Sequence, residues 1–360
     1  MSYETIPPLS SLYFYMTEGC NLACQHCWLA PKFDEDGSKY PVIDVGLFRQ
    51  IIEEAIPLGL DSIKLTGGEP LLHPNIYEIW KIHKEFGLSP WVETNGLLCD
   101  EQMADTITNF PSPFVSVSLD GSTPEIHDAI RGLSGAYDRS IQGIKNLVER
   151  GVNTQIIFSI MRANIHQYEE IIGIAESLGV DSLKFNIVQP TERGFALHES
   201  QRDVTIEEYV KIGKHIENHL HDRSKIRIIY DHPVAFVPLH RLADSSNGGS
   251  CGIKHILGVL ADGTYALCGI GSSIREMNFG KAGVDRLATI WKNNTVINTI
   301  RYDLPKDFTG ICARCLMKND CLGACIAQNY YRTRNLHAPF WYCEEADKKG
   351  LFPQSRLTPD

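Results

Sequence analysis

Two rhythms of apolar positions alternate along the first half of the chain. Ser11–Thr17 (SLYFYMT) is a short apolar and aromatic run that suits a buried first strand. Asp44–Leu58 has apolar residues at helical spacing behind a candidate N-cap, Asp44. Strand-like runs follow at Ser62–Thr66, Ser89–Thr94, Phe114–Leu119, Asn153–Met161 and Leu183–Val188. Helical patterns separate them at Asn75–Phe86, Asp100–Thr108, Ala136–Arg150 (with Gly151 as its stop) and Ile165–Leu178. Strand and helix alternate with short connections, which predicts parallel β/α units with ligands at the carboxyl ends of the strands. Cys20, Gly67–Pro70, Thr94–Gly96, Ser118–Asp120 and Asn186 all fall at those ends.

The second half reads differently. Thr205–Leu220 is a helix leaving the barrel, and Asp244–Ser250 (DSSNGGS) is the best linker in the chain. We therefore divide the chain into 1–243 and 244–360. Asp262-Gly263, between Ile256–Leu260 and Thr264–Leu267, reads as a hairpin turn that brings Cys251 and Cys268 together.

Composition narrows the class. The chain has 360 residues, 43% hydrophobic and 22% charged, enough for one large core and a smaller domain. The net charge of −10, with no basic run, argues against nonspecific nucleic-acid binding. No apolar stretch is long enough to span a bilayer, and MSYETIPPLS has neither the basic start nor the apolar centre of a signal peptide. Eleven cysteines, spaced as metal ligands, place the chain in a reducing cytoplasm.

Two cysteine patterns carry the chemistry. Cys20, Cys24 and Cys27 lie at C-x3-C-x2-C, followed later by Gly67-Gly68-Glu69-Pro70. Three thiolates can hold three irons of a [4Fe–4S] cube and leave the fourth iron open. A zinc site wants four N or S ligands, and His26 would supply the fourth only from another face of a short turn. In the second half, Cys251 is followed by eleven residues, Gly263, four residues and Cys268. Cys312, Cys315, Cys321 and Cys325 then form C-x2-C-x5-C-x3-C, with Cys343 beyond; a zinc ribbon is the alternative reading.

Together these motifs resemble the radical S-adenosylmethionine (radical SAM) superfamily with a C-terminal SPASM domain. The resemblance covers nearly the whole chain. It implies an α/β fold, an open six-stranded partial barrel of the TIM type, joined to a domain that holds auxiliary iron–sulfur clusters. It implies that the cluster on Cys20, Cys24 and Cys27 binds and cleaves SAM, giving a 5′-deoxyadenosyl radical that takes a hydrogen atom from the substrate. Gly67, Gly68, Glu69 and Pro70 would meet the SAM ammonium, Ser118 and Asp120 the ribose, and Arg131 the carboxylate. Thr94, Asn95 and Asn186 would line the pocket, and His26 stands where the family carries a residue near the adenine. Cys312, Cys315, Cys321 and Cys343 would ligate an outer auxiliary cluster, and Cys251, Cys268 and Cys325 an inner one. Its fourth ligand is left to water, His255 or the substrate. Cys99 is left over as a buried small hydrophobe.

SPASM enzymes mostly modify ribosomally made peptides, so the resemblance implies a precursor-peptide maturase. A reductant such as flavodoxin or ferredoxin would supply the electron. About ten residues precede the first strand, so a separate winged-helix-like leader-binding partner is expected. QNYYRTRNLHAPFWYCEEA resembles the maturases of Nif-type leader peptides, including the tyramine-excising spliceases. Formylglycine-forming maturases carry an Asp after the cysteine matching Cys268, whereas Gly269 stands here. The alternative is a haem-pathway tetrapyrrole decarboxylase of the same architecture. No general base can be named from the sequence. Tyr265, Tyr330 and Tyr331 qualify only by location, and aromatic core is the better reading of each.

Overall fold

The computed structural model describes residues 6–29, 31–33, 39–200, 203–242 and 251–359. The main sheet has ten strands. In chain order they are β1 (Ser11–Tyr15), β2 (Ser62–Thr66), β3 (Ser89–Thr94), β4 (Phe114–Ser118), β5 (Asn153–Ile160), β6 (Ser182–Ile187), β7 (Arg227–Tyr230), β8 (Ile256–Val259), β9 (Thr264–Ala266) and β10 (Asn278–Lys281). Their spatial order is β10-β9-β8-β1-β2-β3-β4-β5-β6-β7. From β8 to β7 every pairing is parallel, and β9 and β10 add antiparallel. The two end strands do not pair with each other, so the barrel is open.

The six expected strands are β1 to β6, in the expected order. The sheet is wider than six because short strands were added at both edges. β7 is the four residues RIIY, too short to show a period of its own. β8 comes from the cysteine-rich half and pairs with β1 in register from Ser11↔Ile256 to Phe14↔Val259. The expected boundary at 243/244 and the linker Asp244–Ser250 lie outside the described residues; the sheet runs through both halves of the chain.

Helices cover the outer face for ordinary reasons. In Val45–Ala55, Phe48, Ile51, Ile52 and Ala55 form one buried stripe, and the Asp44 carboxylate caps the start by accepting from the Leu47 N–H at 2.9 Å. Pro124–Arg131 and Glu192–Glu199 were not legible, nor were the helices of the second half such as Thr295–Tyr302, Ile326–Thr333 and Trp341–Lys348. Two others are broken: Ile165–Gln167 is a separate 3-10 turn before Glu170–Leu178, and the helix Ile206–His215 continues as a π segment, Ile216–Leu220. The hairpin at Asp262-Gly263 forms as read, with Gly263 at φ +83° joining β8 to β9. Among the described residues no helix is long and apolar enough to cross a membrane.

Candidate active site

The carboxyl ends of the parallel strands open into a cavity of about 780 Å³. Cys20, Cys24 and Cys27 line it on a loop after β1, and Cys251, Cys268 and Cys325 line it from the other half of the chain. Cys312, Cys315, Cys321 and Cys343 converge separately, around a small depression beside Phe340 and Phe352. Six of the expected cysteines thus share one cavity and the other four lie apart from it. Cys99 is buried in the main core, as expected.

The first cysteine loop is held by backbone contacts on two sides. On one side lies Gly67-Gly68-Glu69. The Gly68 N–H donates to the Thr17 carbonyl at 2.9 Å, and the Glu69 N–H to the Gly19 carbonyl at 3.0 Å. Gly67 has φ +122°, and a Cβ on Gly68 would sit 1.8 Å from the Gly19 carbonyl oxygen. The close approach that the glycines permit is thus to the cysteine loop itself. On the other side, the loop covers the C-terminus of the helix Pro124–Arg131. Ala23 and Gln25 donate their N–H groups to the carbonyls of Arg131 and Ile130, which the helix leaves without internal partners. Gly132, at φ +75°, ends that helix against Ala23.

Glu69 is 1% exposed and accepts from the Thr94 hydroxyl at 2.7 Å and from the N–H groups of Asn95 (2.9 Å) and Leu71 (3.2 Å). Burial dominates these donors and pushes its carboxyl up to about 7. Asn95 also donates its side-chain amide to Asn21 at 2.7 Å, tying the third strand's loop to the cysteine loop. Thr94, Asn95, Ser118, Arg131 and Asn186 all line the cavity, as do Gly67, Gly68 and Glu69.

Three expectations change. Asp120 is fully buried behind the wall, so it is not placed for a ribose contact. Its Oδ2 meets the Arg131 guanidinium at 2.6 Å and His26 Nε2 at 3.3 Å, and its Oδ1 accepts the Ser159 N–H at 2.7 Å. Arg131 in turn donates to Cys24 Sγ at 3.5 Å, so the pair braces the cysteine loop from beneath. Pro70 also stays behind the wall, starting a short 3-10 turn. His255 is exposed and its Nδ1 faces the Pro8 carbonyl at 3.2 Å, outside the cavity that Cys251, Cys268 and Cys325 line. His26 does line the cavity; burial, more than its neighbours, lowers its pKa to about 4, leaving it neutral. Tyr265, Tyr330 and Tyr331 do not line it.

Sequence reasoning missed the floor between the two cysteine groups. Lys64 forms an ion pair with Glu93 and lies over the rings of Trp91 (4.2 Å) and Tyr13 (4.6 Å). The Thr66 hydroxyl, one residue before Gly67, donates to Glu93 at 3.1 Å. Lys184 lies 3.7 Å from Asp231 across the same floor. The signal was present as charged residues at alternate positions of apolar strands, Lys64 in SIKLT and Glu93 in SPWVET. Gly269 is also explained: a Cβ there would lie 2.5–2.6 Å from Tyr15, Leu29 and Trp28, so aromatic rings fill the place of a side chain beside Cys268.

Three thiols on one loop, facing the cavity, are the donor type that an iron–sulfur cluster takes. The wall also offers buried polar atoms without partners, Asn186 Oδ1 and His26 Nδ1, to a polar ligand. An open parallel barrel whose first loop gathers three thiols beside such a wall is a scaffold for cluster-based chemistry on a bound small molecule.

The comparisons with known proteins agree. Residues 14–178 match the radical SAM superfamily; the chain carries a radical SAM domain and is a radical SAM enzyme, using SAM and a [4Fe–4S] cluster. It is 25% identical over 344 residues to an AdoMet-dependent heme synthase of Oleidesulfovibrio alaskensis, covering 90% of this chain and 84% of that one. It is 22% identical over 352 residues to the mycofactocin maturase MftC of Mycobacterium tuberculosis, covering 97% and 86%. Its fold resembles that of Streptococcus suis SuiB bound to the precursor peptide SuiA, with a TM-score of 0.73 at 14% identity over 94% of this chain and 76% of SuiB.

Proposed function

We propose that this radical SAM enzyme modifies a ribosomally made precursor peptide. The observation that carries this reading is the single cavity that reaches from the first cysteine triplet to Cys251, Cys268 and Cys325. Its walls mix aromatic rings (Trp28, Trp91, Tyr230) with charged side chains, which suits a peptide segment of varied side chains. The two lysines on its floor are each matched by a carboxylate, Lys64 by Glu93 and Lys184 by Asp231. The likeness to MftC supports the peptide reading, and the likeness to the heme synthase keeps the decarboxylase as the rival.

Cys20, Cys24 and Cys27 would hold the SAM-binding cluster, Cys251, Cys268 and Cys325 an inner auxiliary cluster, and Cys312, Cys315, Cys321 and Cys343 an outer one. The bound cluster and SAM supply one-electron cleavage and a hydrogen-abstracting radical. Gly67, Gly68, Glu69 and Asn186 would hold SAM, and the Arg131 guanidinium, fixed by Asp120, would meet a carboxylate. A low-potential electron carrier and, for leader recognition, a separate small protein would be the partners, in the cytoplasm. The test is coexpression with each small open reading frame beside the gene, read by mass spectrometry. A mass change in one peptide, with 5′-deoxyadenosine formed, is the expected result. Loss of carboxyl groups from a haem-precursor tetrapyrrole, with every peptide unchanged, would overturn it.

A further inference from the structure

The segment after β6 reaches back over the first cysteine loop from more than 160 residues away. Arg193 donates through Nη1 to the Cys24 carbonyl at 3.0 Å and through Nη2 to the Pro31 carbonyl at 2.5 Å. The Thr191 hydroxyl is 3.5 Å from the Trp28 carbonyl. One cation thus spans the loop from its middle cysteine to its end. Charge-assisted bonds of this kind are about twice as strong as neutral ones.

The turn that delivers Arg193 is built at a cost. Glu192 has φ +49°, a left-handed conformation that non-glycine residues avoid. A Cβ on Gly194 would lie 2.1 Å from the Gln189 carbonyl oxygen, so only glycine fits the turn there. The Glu192 N–H points at Tyr331 Oη, 3.4 Å away, on the helix Ile326–Thr333 that Cys325 caps. Strain held by contacts on both sides marks a position the fold over-determines for a purpose. Cys24 now has a cation on each face: Arg131 on its sulfur and Arg193 on its carbonyl.

We propose that Arg193 is a positioning residue for the SAM-binding cluster, bracketing Cys24–Pro31 and placing a fixed positive charge against a site that gains an electron. A nearby cation favours the more negative, reduced state, so Arg193 raises the tendency of the site to accept an electron. The bracket and the charge are separable. Arg193→Gln removes both, whereas Arg193→Lys keeps the charge and can make only one of the two bonds well.

The test has two readouts, neither of which is turnover. Hydrogen exchange on the metal-free full chain reads the bracket at residues 24–31. The midpoint potential of the reconstituted chain, taken from the paramagnetic signal that responds to added SAM, reads the charge. R193Q should exchange faster at 24–31 and show a more negative potential. R193K should exchange faster with a potential near the parent's. Exchange at 24–31 in R193Q equal to the parent's overturns the proposal in the metal-free chain, even where the variant holds iron poorly. A potential in R193Q equal to the parent's overturns it equally.

Discussion

His83 is a fully buried histidine in a cluster with Phe48, Trp80 and Phe110. Burial lowers its pKa to about 3, opposed only in part by the Ile79 carbonyl. The folded pKa lies below the unfolded one, near 6.5, so the neutral ring's contribution is complete above pH 6.5. It is lost as pH falls from there toward 3, by an amount on the order of a few kcal/mol. His83→Phe should therefore lose less stability than the parent between pH 7 and pH 4. Urea midpoints across that range check it; parallel declines in both proteins would refute it. The same residue shows a limit of sequence reading. A histidine in IYEIWKIHKE reads as a polar position, and only the tertiary core shows it buried.

At the scale of elements, the helix Pro124–Arg131 and the turn after it form the rear support of the cysteine loop. Asp128 fastens that turn: its carboxylate accepts the Gly135 N–H at 2.6 Å and the Tyr137 N–H at 2.8 Å, and its carbonyl accepts from Gly132. Asp128→Ala leaves the Gly135 and Tyr137 N–H groups unmet and should cost about 1–3 kcal/mol. Denaturant unfolding measures this, and a change within error of zero would argue that solvent replaces the carboxylate. This helix escaped the sequence because PEIHDAIR is short and polar, although Pro124 at its first position is a helix-start signal. The strands were legible because their apolar runs are continuous, as parallel strands buried on both faces require. Arg131 was legible through HDAIRG. Arg193 was not, since nothing local ties residue 193 to residue 24.

At the scale of the whole molecule, three groups of cysteines occupy three places, and two of them face one cavity. The outer group is walled off behind Phe340. Removing one of its thiols should therefore leave the SAM site in place. Cys315→Ala should lose about four of roughly twelve irons per chain and keep SAM cleavage. Iron counting and 5′-deoxyadenosine yield check this; loss of both together would show that the groups are not independent. The cysteine spacings carried these groups only as an expectation. They did not foretell that the second half of the chain also completes the first half's sheet, because a parallel pairing between residues 11 and 256 leaves no local trace.

That pairing sets an order of events during synthesis. β1 leads directly into the loop of Cys20, Cys24 and Cys27, and it lies between β2 and β8. While the chain is being made, one side of β1 stays unpaired until Ile256–Val259 emerges. At about 5–20 residues per second, the intervening stretch takes on the order of ten to fifty seconds to translate. The pairing is also of very long sequence separation, the slowest kind to form. Trp28 and Leu29 cannot reach their seat against Gly269 before then either. The first metal site to be translated is thus among the last to be enclosed, and the nascent chain must keep three thiols reduced and an edge strand covered through that interval.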